Sequence, residues 1–248
     1  TTTTTTTAQL REIVDPSSYS GLAYLPPHTP PGGKPPPLLV VLHGAGQNTL
    51  PLSNLASATG EHAGLPPSLI AASGPLNACP REILESFAVV APYSQNKASF
   101  YEDPRSSLLS FISYAQKELN TDPLNTFLLG FSDGATVSLE LATTKRFRAV
   151  VLCSPGFSGS LPPAAVDLLQ NTPFWVFHCA DDVIFNPSNT DRLVKSLRSV
   201  GDSRRVKYTR FQSDPEDLPA RVRGHSTGIT ASKNPETYRW LLSNAKAT

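Results

Sequence analysis

Ser132, set between two glycines, is the first residue of this sequence whose surroundings suggest chemistry. It lies in Gly130-Phe131-Ser132-Asp133-Gly134, between the apolar run Thr126–Leu129 and the helix-like segment Ala135–Ala142. A serine on a tight strand-to-helix turn exposes its hydroxyl, and the flanking glycines let strand and helix approach closely. Such a string arises by chance in roughly one in ten chains of this length. The motif therefore predicts a nucleophile only if other segments support it.

A second glycine-rich segment is placed to stabilise negative charge. The continuously apolar run Leu38–Leu42 leads directly into His43-Gly44-Ala45-Gly46. A loop of this kind after a buried strand supplies one backbone N–H to an oxyanion, and the residue after the nucleophile supplies the other. The sequence therefore predicts an oxyanion hole built from the N–H groups of Ala45 and Asp133. The alternative is that the loop merely ends the strand.

A nucleophilic serine also needs a base and a carboxylate that orients it, which follow in the chain order Ser, acid, His in this arrangement. The buried run Phe174–His178 leads to Asp181 and Asp182, at the sheet edge where α/β proteins build their sites. Either aspartate fits the role of the acid. His225 is the only histidine beyond them and lies in a loop before the last predicted helix. The order predicts His225 as the base.

These residues need a sheet and helices to hold them. Short apolar runs, typical of strands covered on both faces, are Gly21–Leu25, Leu38–Leu42, Phe87–Ala91, Thr126–Leu129, Ala149–Cys153 and Phe174–His178. Helical spacing or capping signals follow Asp103-Pro104, extend over Ser188–Val200, and follow Asn234-Pro235. Buried strands that alternate with amphipathic helices predict an α/β fold with a mainly parallel sheet and helices on both faces.

Four segments together resemble the α/β-hydrolase superfamily. The resemblance is nearest to small serine esterases of the carboxylesterase/phospholipase type and of the polyhydroxybutyrate depolymerase/feruloyl-esterase type. The segments are Leu42-His-Gly-Ala-Gly-Gln47, Leu129-Gly-Phe-Ser-Asp-Gly-Ala135, His178-Cys-Ala-Asp-Asp-Val-Ile184, and Gly224-His225 with Asn234–Leu242. They occur in the family's order and lie between about Tyr24 and Leu242.

The resemblance implies an α/β-hydrolase fold and a serine hydrolase that cleaves a carboxylic ester or thioester through an acyl-enzyme. It places the triad on Ser132, His225 and Asp182, the aspartate four residues after His178. Cys179 replaces a usual glycine, and Asp133 fills a position more often Gln, Asn or His, where its carboxylate would disfavour anionic acyl groups. The rivals are a thioesterase, an acyl-lipid hydrolase, a feruloyl-type esterase and a peptidase. An alternative from a different class of function is a small-molecule receptor or binding protein with weak or no catalytic activity.

Other parts of the chain carry weaker expectations. Residues 1–12, with Thr1–Thr7, are predicted to be a low-complexity, disordered tail, and residues 13–248 one domain. The stretch 50–85 is long for a connection and predicts a cap or wall over the acyl pocket, or else surface decoration. Predicted to contact the substrate are Gly44, Gly46, Phe100 and Tyr101, although core packing is an equal alternative for the two aromatic residues.

Composition narrows the function classes. A net charge of +1, from 21 basic and 20 acidic residues, favours neither nucleic acid nor anionic membranes. No apolar run approaches the roughly 18–20 residues of a membrane span, so the expected partner is a small-molecule ester. The five histidines are scattered, which predicts no metal, and the proposed chemistry needs no cofactor.

The cysteines and the first residue bear on processing and compartment. Cys79, Cys153 and Cys179 form no disulfide framework; buried free thiols are expected, with one disulfide as the alternative. The sequence contains no methionine, so we expect residue 1 not to be the natural initiator. Balanced charge and few cysteines are typical of a cytoplasmic or organelle-lumen protein. Nothing in the sequence specifies an oligomeric state.

Overall fold

An eight-stranded sheet forms the centre of the protein. The computed structural model describes residues 9–27, 33–60, 63–73, 79–94, 99–157 and 161–246. The strands are β1 (Arg11–Val14), β2 (Ser20–Tyr24), β3 (Pro37–Leu42), β4 (Ala88–Tyr93), β5 (Asp122–Phe131), β6 (Val150–Cys153), β7 (Phe174–Cys179) and β8 (Val206–Phe211). The predicted apolar runs correspond to β2 through β7, whereas β1 and β8 are not among the strands that the sequence predicts.

The strand order is β1-β2-β4-β3-β5-β6-β7-β8. Strands β1 and β2 pair antiparallel with their neighbours, and every pairing from β4 to β8 is parallel. The interior strands are mostly apolar because helices cover both of their faces. Parallel strands all end at one edge, and β3, β5 and β7 bring their following loops together there. The predicted mainly parallel sheet is confirmed.

Helices flank the sheet on both faces, as predicted. They are α1 (Pro66–Ala71), α2 (Arg81–Ser86), α3 (Arg105–Glu118), α4 (Asp133–Ala142), α5 (Pro163–Leu169), α6 (Pro187–Arg198), α7 (Thr227–Lys233) and α8 (Pro235–Ser243). One core cluster packs α3, α4, α5 and α6 on the sheet, and the other packs α1, α2, α7 and α8 on the opposite face. None of these described helices is long and apolar enough to cross a membrane.

N-capping residues mark where the helices begin. The Asn234 side chain accepts a hydrogen bond from the Glu236 N–H and begins α8, as the sequence predicts. At α3 the structure differs, because Pro104 takes the capping position. The Asp103 carboxylate instead accepts hydrogen bonds from the hydroxyls of Tyr19 and Ser94, at 2.6 and 3.1 Å. Tertiary partners thus outweigh the local capping role.

The predicted boundary of the N-terminal tail is wrong, because β1 begins before it. Residues 1–8 lie outside the described residues, but Arg11 and Glu12, predicted to belong to the tail, lie in β1 and pair with β2. This edge strand has only one buried residue, Ile13. Because its sequence is mostly polar, it lacks the apolar pattern that identifies an interior strand.

The stretch 50–85 contributes to the core on one face of the sheet. Its described parts include a short 3-10 helix (Leu52–Ala56), α1 and the start of α2, while residues 61–62 and 74–78 lie outside the described residues. Leu55, Ile70 and Ile83 are buried in the same cluster as α8. The described helices therefore pack on the sheet face, and a role as a cap over the pocket stays a prediction.

No disulfide links the chain, whose three cysteines are all free and buried. Burial raises the pKa of the Cys79 and Cys179 thiols to about 12. Protonated, enclosed thiols are poor nucleophiles. Among the described residues, no group of three or more His, Cys, Asp or Glu side chains is arranged to hold a metal ion.

Helix α4 begins in direct contact with the end of β3, and Gly134 makes this approach. A methyl group added at Gly134 would lie 2.3 Å from the Leu42 carbonyl oxygen and 2.5 Å from that of His43. Both atoms belong to the backbone and cannot move aside cheaply. We therefore expect Gly134→Ala to lower the free energy of unfolding by about 1–3 kcal/mol, measured as a fall of several degrees in the melting temperature. An unchanged melting temperature would contradict the close approach.

Candidate active site

Ser132 lies on the turn between β5 and α4, at the sheet edge where the parallel strands end. Its backbone is held at φ 57° and ψ −121°, a conformation that side-chain-bearing residues rarely adopt. The Ser132 N–H donates to the Cys153 carbonyl at 2.9 Å, which ties the turn to β6. A methyl group at Gly130 would lie 2.4 Å from the Gly134 carbonyl oxygen, so glycine is needed beneath the turn. Ser132 thus lies on a strained turn that close backbone contacts hold in place.

The structure brings His225 and Asp182 to Ser132. His225 Nε2 lies 2.9 Å from Ser132 Oγ, and His225 Nδ1 lies 2.8 Å from Asp182 Oδ2. Steps of 93 and 43 residues along the chain separate these partners. All three residues are buried. The result is a continuous hydrogen-bonded row from carboxylate to imidazole to hydroxyl.

Backbone contacts and aromatic rings hold the imidazole. Gly224, just before His225, has φ 77° and lies against the Asp181–Asp182 peptide: an added methyl group would be 2.3 Å from Asp182 N. The Val183 N–H also donates to the Arg223 carbonyl at 3.0 Å. The rings of Phe131 and Phe185 lie 5.2 and 5.3 Å from the imidazole, measured between centroids. The loop that contains Asp182 therefore supports the loop that contains His225.

The Asp182 carboxylate is enclosed and fully hydrogen-bonded. Its Oδ1 accepts from the N–H groups of Ile184 and Phe185 at 2.8 and 2.9 Å. Burial alone would raise the pKa of this carboxyl group, but hydrogen bonds from His178, His225 and the Phe185 N–H hold it well below its usual range. Asp182 is therefore a carboxylate anion at neutral pH.

The sequence left two aspartates open, and they differ in the structure. Asp182 contacts His225, whereas Asp181 directs a buried Oδ1 that has no hydrogen-bond partner among the described residues. Neighbouring residues at the end of a strand point in different directions, so only one of them can face the histidine.

The predicted oxyanion loop is shaped by its own histidine. His43 is buried, its Nε2 accepts from the Ser94 N–H at 3.2 Å, and its Nδ1 lies 2.8 Å from the Gly44 carbonyl oxygen. The proton must be on Nδ1, which donates to that carbonyl. Because the two ends of a trans peptide point in opposite directions, this bond turns the Ala45 N–H away from His43. Asp133 is the first residue of α4, where N–H groups lack intrahelical partners.

The four predicted substrate-contacting residues differ in accessibility. Gly44 is buried and Gly46 is exposed, with φ 87°. Phe100 has no exposed surface; its ring packs on His43, 4.5 Å between centroids. Phe100 thus takes the core-packing alternative and supports the loop from behind. Tyr101 is 41 % exposed.

Asp133 and Tyr101 interact beside the serine. The Tyr101 hydroxyl favours the ionised form of Asp133, and Thr136 also interacts with Tyr101. Burial raises the pKa of the Asp133 carboxyl above its ordinary value, while the Tyr101 hydroxyl and the charge of His225 oppose the rise. A partly desolvated acid therefore adjoins Ser132.

Two features of the site were not predicted from the sequence. His178, quoted only as part of a motif, places Nε2 3.1 Å from Asp182 Oδ2. Val183 and Ile184 expose 47 and 45 % of their surface directly after Asp182. The available signals were a second histidine four residues before the acid and an apolar run following it.

Esterases and a serine hydrolase are among the solved structures that have the same fold. A mutant feruloyl esterase module from Clostridium thermocellum, in complex with sinapinate, has a TM-score of 0.67 at 11% identity over 94% of this chain and 88% of that one. The fluorophosphonate-binding serine hydrolase F of Staphylococcus aureus has a TM-score of 0.63 at 14% identity over 94% and 97%. A thermostable esterase has a TM-score of 0.66 at 19% identity over 97% of this chain, which spans 64% of that protein.

At these identities the structures establish the fold alone, which is that of the α/β-hydrolases. No curated protein matches the chain at a significant level. Residues 29–222 match the sequence model of the phospholipase/carboxylesterase family, a segment that contains Ser132 and Asp182 and ends three residues before His225. The chain therefore belongs to the phospholipase/carboxylesterase family of α/β-hydrolases, a family of carboxylic ester hydrolases.

Proposed function

We propose that the protein cleaves carboxylic esters or thioesters with Ser132 as nucleophile, His225 as base and Asp182 as the acid that orients the base. The observation that carries this proposal is the row of hydrogen bonds, 2.9 Å from Ser132 Oγ to His225 Nε2 and 2.8 Å from His225 Nδ1 to Asp182 Oδ2. Such a row gives a weakly acidic hydroxyl a base within proton-transfer distance.

Acylation begins when Ser132 Oγ attacks the carbonyl carbon of the ester. His225 Nε2 takes the hydroxyl proton in the same step, and Asp182 stabilises the imidazolium that results. The low pKa of Asp182 keeps the carboxylate ionised, so Nδ1 retains its proton and Nε2 is left as the acceptor. The bond from carbonyl carbon to leaving group then breaks, and His225 returns the proton to the leaving alcohol or thiol.

The negative charge on the tetrahedral oxygen is stabilised by the N–H groups of Ala45 and Asp133. The turned Gly44–Ala45 peptide and the start of α4 support this assignment. Preorganised N–H donors of this kind supply about 3–4 kcal/mol each to transition-state stabilisation. Water then attacks the acyl-enzyme, again with His225 as base, and releases the acid and free Ser132.

The surroundings of the triad favour an uncharged substrate group. Val183 and Ile184 expose apolar side chains beside Asp182, and Tyr101 is exposed beside Asp133. Apolar surface gains free energy when a ligand covers it, whereas the Asp133 carboxylate repels an anion close to the scissile bond.

Replacement of the nucleophile tests the proposal directly. We expect Ser132→Ala to reduce hydrolysis of short p-nitrophenyl esters on the order of 10⁴-fold or more, with Ser113→Ala, an exposed serine on α3, as the unaffected control. A fluorophosphonate should label Ser132, located by peptide mass spectrometry. Equal rates for Ser132→Ala and the wild type would contradict the assignment. Saturable ligand binding without turnover of any ester would indicate a receptor instead.

The two aspartates after β7 provide a matched pair for the acid. Asp182→Asn removes the charge that stabilises protonated His225 and alters its tautomer, so kcat should fall on the order of 10³–10⁴-fold. Asp181→Asn should change kcat less than about threefold, because Asp181 does not hold the histidine. Both are measured with p-nitrophenyl butyrate at neutral pH. The opposite ranking would move the acid to Asp181.

Asp133 should select against anionic acyl groups. We expect Asp133→Asn to raise kcat/KM for a sulfonated acyl ester, relative to the uncharged ester of the same length, about fivefold, equivalent to roughly 1 kcal/mol. In the wild type this discrimination is present above the pKa of Asp133, which burial raises, and is lost as the pH falls through it. Asp167→Asn, an exposed carboxylate on α5, is the control. An unchanged ratio in Asp133→Asn would refute the role.

A further inference from the structure

A second histidine contacts the acid of the triad. Asp182 Oδ2 lies 2.8 Å from His225 Nδ1 and 3.1 Å from His178 Nε2, while Oδ1 is held by two backbone N–H groups. A carboxylate has about four lone-pair sites for hydrogen bonds, and these four donors occupy them. The side chains of Asp182 and His178 have no exposed surface. The oxygen that faces the base is therefore shared between two imidazoles.

The neighbours of His178 fix its proton. Its Nε2 faces two acceptors, Asp182 Oδ2 at 3.1 Å and the Phe185 carbonyl oxygen at 3.2 Å, so Nε2 must carry hydrogen. Its Nδ1 lies 2.8 Å from the hydroxyl of Thr190 on α6, which can donate to it. His178 and Thr190 are both fully buried. The neutral Nε2–H tautomer therefore accepts from Thr190 and shares one hydrogen between the Phe185 carbonyl and the Asp182 carboxylate.

We propose that His178 is a positioning residue, whose Nε2–H donates to Asp182 Oδ2 and holds the carboxylate in the orientation that receives His225. The inference rests on the proposed function, since it concerns the acid of that triad. The backbone N–H groups of residues 184 and 185 donate hydrogen bonds to Oδ1 alone. His178 supplies a donor from β7 to the other oxygen.

The geometry joins rigid elements to the reacting serine. The row runs from Thr190 on α6 through His178 at the end of β7 to Asp182, His225 and Ser132. Side chains held by packed strands and helices keep reacting groups in place better than loops do. Asp182 and His225 both lie in loops, so an anchor in β7 and α6 reduces their freedom where angular error costs rate.

A matched pair of amides tests the position of the donor. The side-chain nitrogen of glutamine reaches the place of imidazole Nε2, whereas that of asparagine reaches only the place of Nδ1. We expect His178→Gln to keep kcat for p-nitrophenyl butyrate within about threefold of wild type. His178→Asn and His178→Leu should lower kcat roughly 10–100-fold, the usual loss when a functional side chain loses a hydrogen-bond partner that orients it. KM should change less than about twofold in all three.

A double-mutant cycle separates positioning from simple core packing. If His178 acts through the Asp182 carboxylate, His178→Leu introduced into Asp182→Asn should reduce kcat by less than about threefold, far less than in the wild type. Equal losses in the two backgrounds, or His178→Gln as slow as His178→Asn, would overturn the proposal. Melting curves establish that each variant is folded. If His178→Leu does not fold, the comparison of glutamine with asparagine decides alone.

Ser132→Ala in the same assay separates the role of His178 from the proposed function. Loss of activity in Ser132→Ala together with wild-type kcat in His178→Leu would refute the positioning role and leave the proposed function intact. Wild-type activity in Ser132→Ala would refute the proposed function, and with it the role of His178.

Discussion

The strained backbone at Ser132 is the constraint on which the rest of the site depends. A positive φ at a residue with a side chain costs on the order of 1–3 kcal/mol and persists only where the surroundings enforce it. Here β5, β6 and α4 enforce it, through the bond from Ser132 N–H to Cys153 and the close contacts at Gly130 and Gly134. The same contacts press the start of α4 onto the end of β3, so the loop after β3 lies next to the serine.

The interior strands could be predicted because buried segments are recognisable by their apolar composition. Strands β3 to β7 are covered on both faces, so nearly every residue in them is apolar and stands out without any structure. Strand β8 (Val206–Phe211) buries only Val206, and β1 buries only Ile13. Edge strands are partly exposed to solvent, so their sequences mix polar and apolar residues and resemble those of loops. Position in the sheet thus decided which strands could be found.

The site divides in a similar way. Ser132 and His225 could be proposed from the sequence because chain order and local motifs restrict them to single candidates. The choice between Asp181 and Asp182 needed a family resemblance, since the residues alone do not reveal which carboxylate turns toward the histidine. Phe100 and His178 depend on rotamers and on partners far along the chain, such as His43 and Thr190. No short segment encodes those contacts, and only packing shows them.

The long separations within the proposed triad also make the activity dependent on completed folding. His225 and Ser132 are 93 residues apart, and loops β7–α6 and β8–α7 must both dock before the imidazole is held. Contacts so distant in sequence form late, because closing long loops costs chain entropy before any contact compensates for it. Recovery of ester hydrolysis after refolding would therefore report that both loops have docked, whereas circular dichroism would report only the sheet and helices.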